Sequence, residues 1–197
     1  MEIFILAGAR TPFAAWAGGT TGAGVKGGAL KPLDPFDLGA AALKGAASKA
    51  ALSLEKLDKI VFGNMYAVGP HACYGSRYVA HRAGLPENIP GFNVSLACGT
   101  GLYAVIAAAQ DIALGASNII AAVGADNVSL VRRDVFVPSF NDISCGLHIA
   151  KTAEALAKDY GFSRQDQDRW AQRSHEAALR AQKQGLFKEE ITPADAA

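Results

Sequence analysis

Asn93-Val94-Ser95-Leu96-Ala97-Cys98-Gly99-Thr100-Gly101-Leu102-Tyr103-Ala104 is the stretch on which the reading of this chain turns. A strand-like run over residues 91–96 passes almost directly into an apolar helical run over residues 99–114, which puts Cys98 at a strand-to-helix turn. A helix N-terminus presents unpaired amide hydrogens and a partial positive charge, and both stabilise a sulfur anion. Gly99 and Gly101 leave the neighbouring backbone bare, so an acyl group and its carrier can come close to it. The competing account is a small cysteine packed under the helix, and the turn by itself leaves the two nearly even. The glycine pair favours the nucleophile, because a packing cysteine does not need bare backbone at both positions.

Outward from this turn, strand-like and helix-like runs alternate. Residues 2–9 read as a first strand, 37–52 as a helix, 59–65 as a strand, 75–83 as a helix and 118–125 as a strand. That order predicts an α/β fold with a largely parallel or mixed sheet. Asp34 followed by Pro35 supplies an N-cap and a first-turn proline, and Gly84 and Gly115 stand where left-handed helix stops are needed. In the glycine-rich stretch 18–28, Gly22, Gly24 and Gly27 match the spacing of a dinucleotide fingerprint. No helix opens directly after them, as pyrophosphate binding requires, so the stretch is read as a loop. A Gly-x-x-x-x-Gly-Lys-Ser/Thr phosphate loop is absent.

The character changes after Asp126. A loop containing Arg132, Arg133 and Pro138 leads to helical runs over 147–160 and 164–183, with Ser163 and Asp166 spaced as a capping box and Gly185 as a stop. The expected organisation is an α/β domain over 1–125 and a second, helical segment over 126–197, with the last six residues a frayed end.

Composition bounds the function. Nineteen Lys and Arg against eighteen Asp and Glu give a net charge of +1, so there is no global field to favour nucleic acid or a membrane, and any anionic ligand must be held locally. The apolar stretches at 102–109 and 119–123 are far too short to span a bilayer, and the N-terminus has no basic leader. A soluble, cytoplasmic protein is expected. Cys73, Cys98 and Cys145 form an odd set without metal-ligand spacing, which argues against a disulfide scaffold and predicts no metal site.

Several segments then resemble the thiolase family, in family order: Ala9-Arg10-Thr11-Pro12-Phe13, Val61-Phe62-Gly63-Asn64, Arg82-Ala83-Gly84-Leu85-Pro86 and Cys98-Gly99-Thr100-Gly101-Leu102. Thr152-Ala153-Glu154, Ser163 through Asp168, Ala171-Gln172-Arg173-Ser174-His175 and Phe187-Lys188-Glu189-Glu190-Ile191 resemble the thiolase loop domain. The resemblance implies a layered α/β N-terminal domain of thiolase type with a mixed sheet, plus a helical loop-domain segment. It implies a ping-pong Claisen-type acyl transfer in which Cys98 takes an acyl group from an acyl-CoA as a thioester. The amide of Cys98 would help hold the thioester oxygen. His148, with Ile149 beside it, falls where the family lines its pantetheine and acyl pocket. No cofactor is implied, since the coenzyme A thioester is substrate; a dimer or higher oligomer is.

Departures also matter. Gly-Thr-Gly follows the cysteine where Gly-Ser-Gly is usual, and the stretch from Gly124 to Ser129 differs from the common Gly-Gly-Met-Glu-Ser-Met-Ser. Thiolases are about twice this length. The Gly-His-Pro, Cys-x-Gly and Asn-Glu-Ala-Phe motifs of their second half are absent; Gly69-Pro70-His71 only permutes the first. A second chain with that half, or a truncation, accounts equally for the absence. The N-terminal domain's final strand, which in the family follows the loop domain, is expected to be missing, leaving a sheet edge open. Two other classes remain: a ketosynthase, whose nucleophile turn is similar but which the helices between Thr152 and Ile191 oppose, and a non-catalytic acyl-CoA-binding or scaffolding subunit.

Overall fold

Asp34 starts the first helix as its sequence demands. In the computed structural model, which describes residues 2–14 and 28–194, its carboxylate accepts from the amides of Phe36 (2.9 Å) and Asp37 (3.0 Å), while the Asp37 carboxylate accepts in return from the Asp34 amide. This reciprocal box opens α1 (Pro35–Lys49). Arg82, near the end of α2 (Gly75–Ala83), closes onto both carboxylates and lies over the Phe36 ring, so the cap of one helix is tied to the last turn of the next. Gly84 ends α2 at φ +84°, a left-handed stop that a glycine adopts without cost.

Three parallel strands form the sheet, in the order β2 (Gly91–Val94), β1 (Lys59–Gly63), β3 (Ile120–Gly124). Ile60, Val61 and Phe62 are fully buried because β1 is covered on both faces, which is why its sequence is continuously apolar instead of alternating. On one face Ile60, Phe62 and Val123 pack with Phe36 and Leu43 of α1 and Val79 of α2. On the other, Val61 packs with Ala104, Ala107 and Ala108 of α3 (Thr100–Ala113). The layers are therefore helix, sheet, helix.

The expected strand over residues 2–9 does not form. Phe4, Ile5 and Leu6 are 73%, 84% and 66% exposed, and the ladder nearest to them is a single parallel bridge between Arg10 and Ile191. A strand needs a neighbour to take its amides, and none of the described strands lies against this segment. The edge of β3 away from β1 likewise has no partner among the described strands.

The chain divides into two compact units, residues 1–131 with 190–197, and residues 132–189. The sequence reading drew one boundary at 125/126 and kept the tail with the helical segment. The tail instead returns to the first unit because Arg10 and Thr192 exchange backbone bonds and Arg10 pairs with Glu190 at 2.7 Å. The second unit holds a short helix α4 (Arg133–Phe136), a two-residue antiparallel pair β4 (Asn141–Asp142) and β5 (Leu147–His148), and the helices α5 (Ile149–Asp159) and α6 (Arg164–Lys183). Ser163 and Asp166 form the expected capping box of α6. The glycine-rich loop from Gly18 to Gly27, and residues 195–197, lie outside the described residues.

Asp34→Ala is expected to cost about 1–2 kcal/mol in chemical denaturation, the usual loss for a helix cap. Partial burial raises the Asp34 carboxyl, but Arg82 and the amides of Asp37 and Phe36 together pull it below its ordinary value. A depressed folded-state value stabilises above the ordinary carboxylate range and ceases to do so as pH falls through it. The gap between wild type and variant should shrink in acid; a gap that persists there would mean that Asp34 contributes something other than its charge.

Candidate active site

Because all three strands run parallel, their carboxyl ends meet at one edge of the sheet, where open α/β folds place their sites. The turn after β2 lies there. Ala97 has φ +44°, a left-handed conformation that costs a residue with a Cβ about 1–2 kcal/mol, immediately before Cys98. Cys98 stands two residues before the first residue of α3, whose N-cap is Gly99, and its side chain is exposed. The expectation of a cysteine at the start of this helix is thus met in position, and its exposure does not fit the packed alternative.

Thr100 holds this turn together. Its hydroxyl accepts from the Leu96 amide (2.8 Å) and donates to the Ala97 carbonyl (2.7 Å), and the side chain is 5% exposed. The Gly99 amide donates to the Leu96 carbonyl and the Thr100 amide to that of Ala97. Five residues around the cysteine are therefore cross-linked by four hydrogen bonds, which sustains the strain at Ala97. The sequence reading treated the change to Gly-Thr-Gly as minor; a hydroxyl two residues after the cysteine was the available signal.

Close approach to the sheet fixes where the turn sits. A Cβ on Gly63, the last residue of β1, would lie 2.9 Å from Thr100 Cγ2 and 3.2 Å from the Thr100 carbonyl oxygen. One on Gly124, the last residue of β3, would lie 3.5 Å from Gly101 Cα. The bare backbone at Gly63 lets the first turn of α3 sit directly on the strand end.

The loops beyond β1 and β3 are locked to each other. Asn64 donates through Nδ2 to the Ala125 carbonyl (2.7 Å) and to Asp126 (2.9 Å), and its amide donates to the Val94 carbonyl. Asp126 accepts from the amides of Met65 and Tyr66. Burial pushes its carboxyl above the usual value even so. Asn127 is buried and donates to the carbonyls of Leu30 (2.9 Å) and Leu33 (2.7 Å). None of these polar residues was singled out as structural from sequence, since their partners are 60 or more positions away.

His148 and Ile149 belong to the second unit, Cys98 to the first, and each is described within its own. His148 caps α5: its Nδ1 accepts from the Ala150 amide (3.2 Å), and its ring lies 6.0 Å from that of Phe140. Ile149 is 57% exposed. Cys145 is exposed on the turn between β4 and β5. Arg132 pairs with Asp134 next door in sequence. Elsewhere, His71 stacks on Tyr78 at 4.5 Å, His81 and His175 lie on helices, and Cys73 is exposed on a short 3₁₀ turn. Among the described residues no group of three or more His, Cys, Asp or Glu side chains is placed to hold a metal.

Residues 3–137 and 130–197 match the family model of the thiolase N-terminal domain. The chain is 34% identical over 188 residues to a probable acetyl-CoA acyltransferase of Staphylococcus aureus, covering 86% of this chain and 48% of that protein. It is 33% identical over 209 residues to the beta-ketothiolase BktB of Cupriavidus necator, covering 98% and 50% respectively. The crystal structure of the Bacillus anthracis acetyl-CoA acetyltransferase superimposes with a TM-score of 0.86 at 27% identity, over 98% of this chain and 50% of that one. The chain therefore spans about half the length of these relatives.

Thr100→Val should strand the Leu96 amide and the Ala97 carbonyl, costing about 1–3 kcal/mol and slowing alkylation of Cys98, whereas Thr100→Ser keeps both bonds and should behave much more like wild type. Labelling rates for the two variants under native conditions check this; equal rates would show that the hydroxyl does not hold the turn.

Proposed function

The chain belongs to the thiolase family, and on that premise we propose that it is the nucleophile-bearing half of an acyl-CoA acyltransferase that exchanges acyl groups between acyl-CoA and 3-ketoacyl-CoA. The observation that supports this most directly is the exposed Cys98, held on a strained, four-fold hydrogen-bonded turn at the head of α3. Such strain is kept where a side chain must be presented at a fixed place.

In the forward half-reaction the Cys98 thiolate attacks the thioester carbonyl of an acyl-CoA. The carbonyl oxygen takes up the negative charge and the Cys98 amide donates to it; collapse expels coenzyme A as its thiolate, which must gain a proton. The acyl group then passes either to the carbanion of a second acyl-CoA, giving a 3-ketoacyl-CoA, or back to coenzyme A. His148 and Ile149 line the pantetheine and acyl pocket. No further cofactor is required, because the activation energy is lowered by the thioester already present in the substrate.

The proton transfers need a base to generate the thiolate and the carbanion, and an acid for the leaving thiol. The thiolase motifs that provide these lie in the half of its relatives that this chain does not span. A C-terminal half is therefore needed for turnover, and the assembled enzyme is a dimer or higher oligomer. Three free thiols suit a reducing cytoplasm. No helix among the described residues is long and apolar enough to cross a membrane.

Iodoacetamide labelling of the chain is the direct test. Cys98 should react fastest of the three exposed cysteines and be selectively protected by acetyl-CoA, and the chain by itself should show no thiolysis of acetoacetyl-CoA. An inert Cys98 alongside a rapidly labelled Cys73 would remove the nucleophile assignment and favour a subunit that binds or scaffolds without catalysis.

A further inference from the structure

The first unit contains a cavity of about 720 Å³ with β3 along one wall and residues 2–9 along the other. Ala46 and Ala47 of α1 contribute to its lining from one side of the sheet, and Ala108 and Ile112 of α3 from the other. The wall formed by residues 2–9 is fastened where it ends: Lys49 reaches the Gly8 carbonyl at 3.5 Å, and Arg10 is bonded through backbone and side chain to Glu190 and Thr192. Two apolar segments of one sheet layer thus stand apart with a slot between them.

The backbone says what fits. Ala125 gives its amide to Gly63 of the β1 side, and in a parallel ladder alternate residues turn to the same neighbour. Ala121 and Val123 therefore face β1, and the amides and carbonyls of Ile120, Ala122 and Gly124 face the slot. A row of unpaired backbone groups flanked by apolar helices is satisfied only by another strand, since a compact apolar ligand would leave these groups desolvated and unbonded. Covered by α1 on one face and α3 on the other, that strand must be uncharged and apolar on both sides, with small residues opposite the alanines.

We propose that this slot receives one β-strand of about five residues from the thiolase C-terminal half, so that the two halves share a single sheet and do not merely abut. The proposal rests on the reading of the chain as the nucleophile-bearing half: its relatives continue for as long again as the part it matches, and the slot extends the same sheet whose strand ends position the Cys98 turn. The strand enters between β3 and residues 2–9, converting an edge strand into an interior one and giving residues 2–9 the neighbour they lack.

Residue-resolved amide hydrogen exchange on the 197-residue chain, alone and with the separately expressed C-terminal half of BktB, tests this. Alone, the amides of Ile120, Ala122 and Gly124 should exchange quickly and those of Ala121, Val123 and Ala125 slowly; in the complex the first set should slow at least tenfold. Ala122→Pro removes one slot-facing amide without touching the ladder to β1, as edge strands allow. It should melt like wild type alone yet assemble about ten- to a hundredfold more weakly, while Ala122→Ser assembles normally. A stable complex that leaves the three amides exchanging freely, or one that Ala122→Pro forms equally well, overturns the slot and leaves the two-half reading standing. Protection that appears in the isolated chain as its concentration rises would assign the slot to a second copy and overturn the proposal. Failure of this half to bind at all overturns both.

Discussion

Everything in the first unit is referred to one strand. Ile60, Val61 and Phe62 are buried on both faces of β1, and burying side chains of this size contributes about 1.5–3 kcal/mol each. Two consequences follow from double coverage. Helices must pack on both sides of the sheet, which fixes the layer order, and the strand must end in something that lets the helix above come down onto it. Gly63 is that residue. Any Cβ there would collide with Thr100, so the position of the cysteine turn and the covering of β1 are a single packing problem.

Polar groups then fix what apolar packing leaves loose. Hydrophobic contact is non-directional and cannot decide the conformation of the three loops that leave the carboxyl edge of the sheet. Asn64, Asp126 and Asn127 do so by taking specific backbone amides and carbonyls, and Thr100 does the same within the cysteine turn. The strained φ of Ala97 persists because the bonds on either side of it leave the backbone no alternative. An exposed thiol on a rigid support is what nucleophilic acyl transfer requires, since the entropy of positioning is settled before the substrate arrives.

The same sheet is also unfinished. A strand with a free edge and a segment of eight residues that faces it without touching are two signs of one missing neighbour, and a half-site without its base and acid is the chemical counterpart. Structure and chemistry agree that a further polypeptide segment completes both. Sharing a strand would couple the two: the groups that finish the reaction arrive with the strand that finishes the sheet.

The sequence by itself determined the order of elements and the place of the cysteine. Helix and strand periodicity, the Asp34-Pro35 start, the Ser163 capping box and the glycine stops at 84, 115 and 185 are local signals, each set by residues within four positions, and the structure realises all of them. The ordered motifs likewise identified the family, because they are short and contiguous. Only the tertiary structure decided whether residues 2–9 became a strand, where the tail after Glu190 returned, which residues lock the loops around Cys98, and that a slot lies beside β3. Those outcomes depend on partners dozens of positions away or on a neighbour not present, and a strand's identity is settled by who takes its hydrogen bonds, which no local pattern encodes.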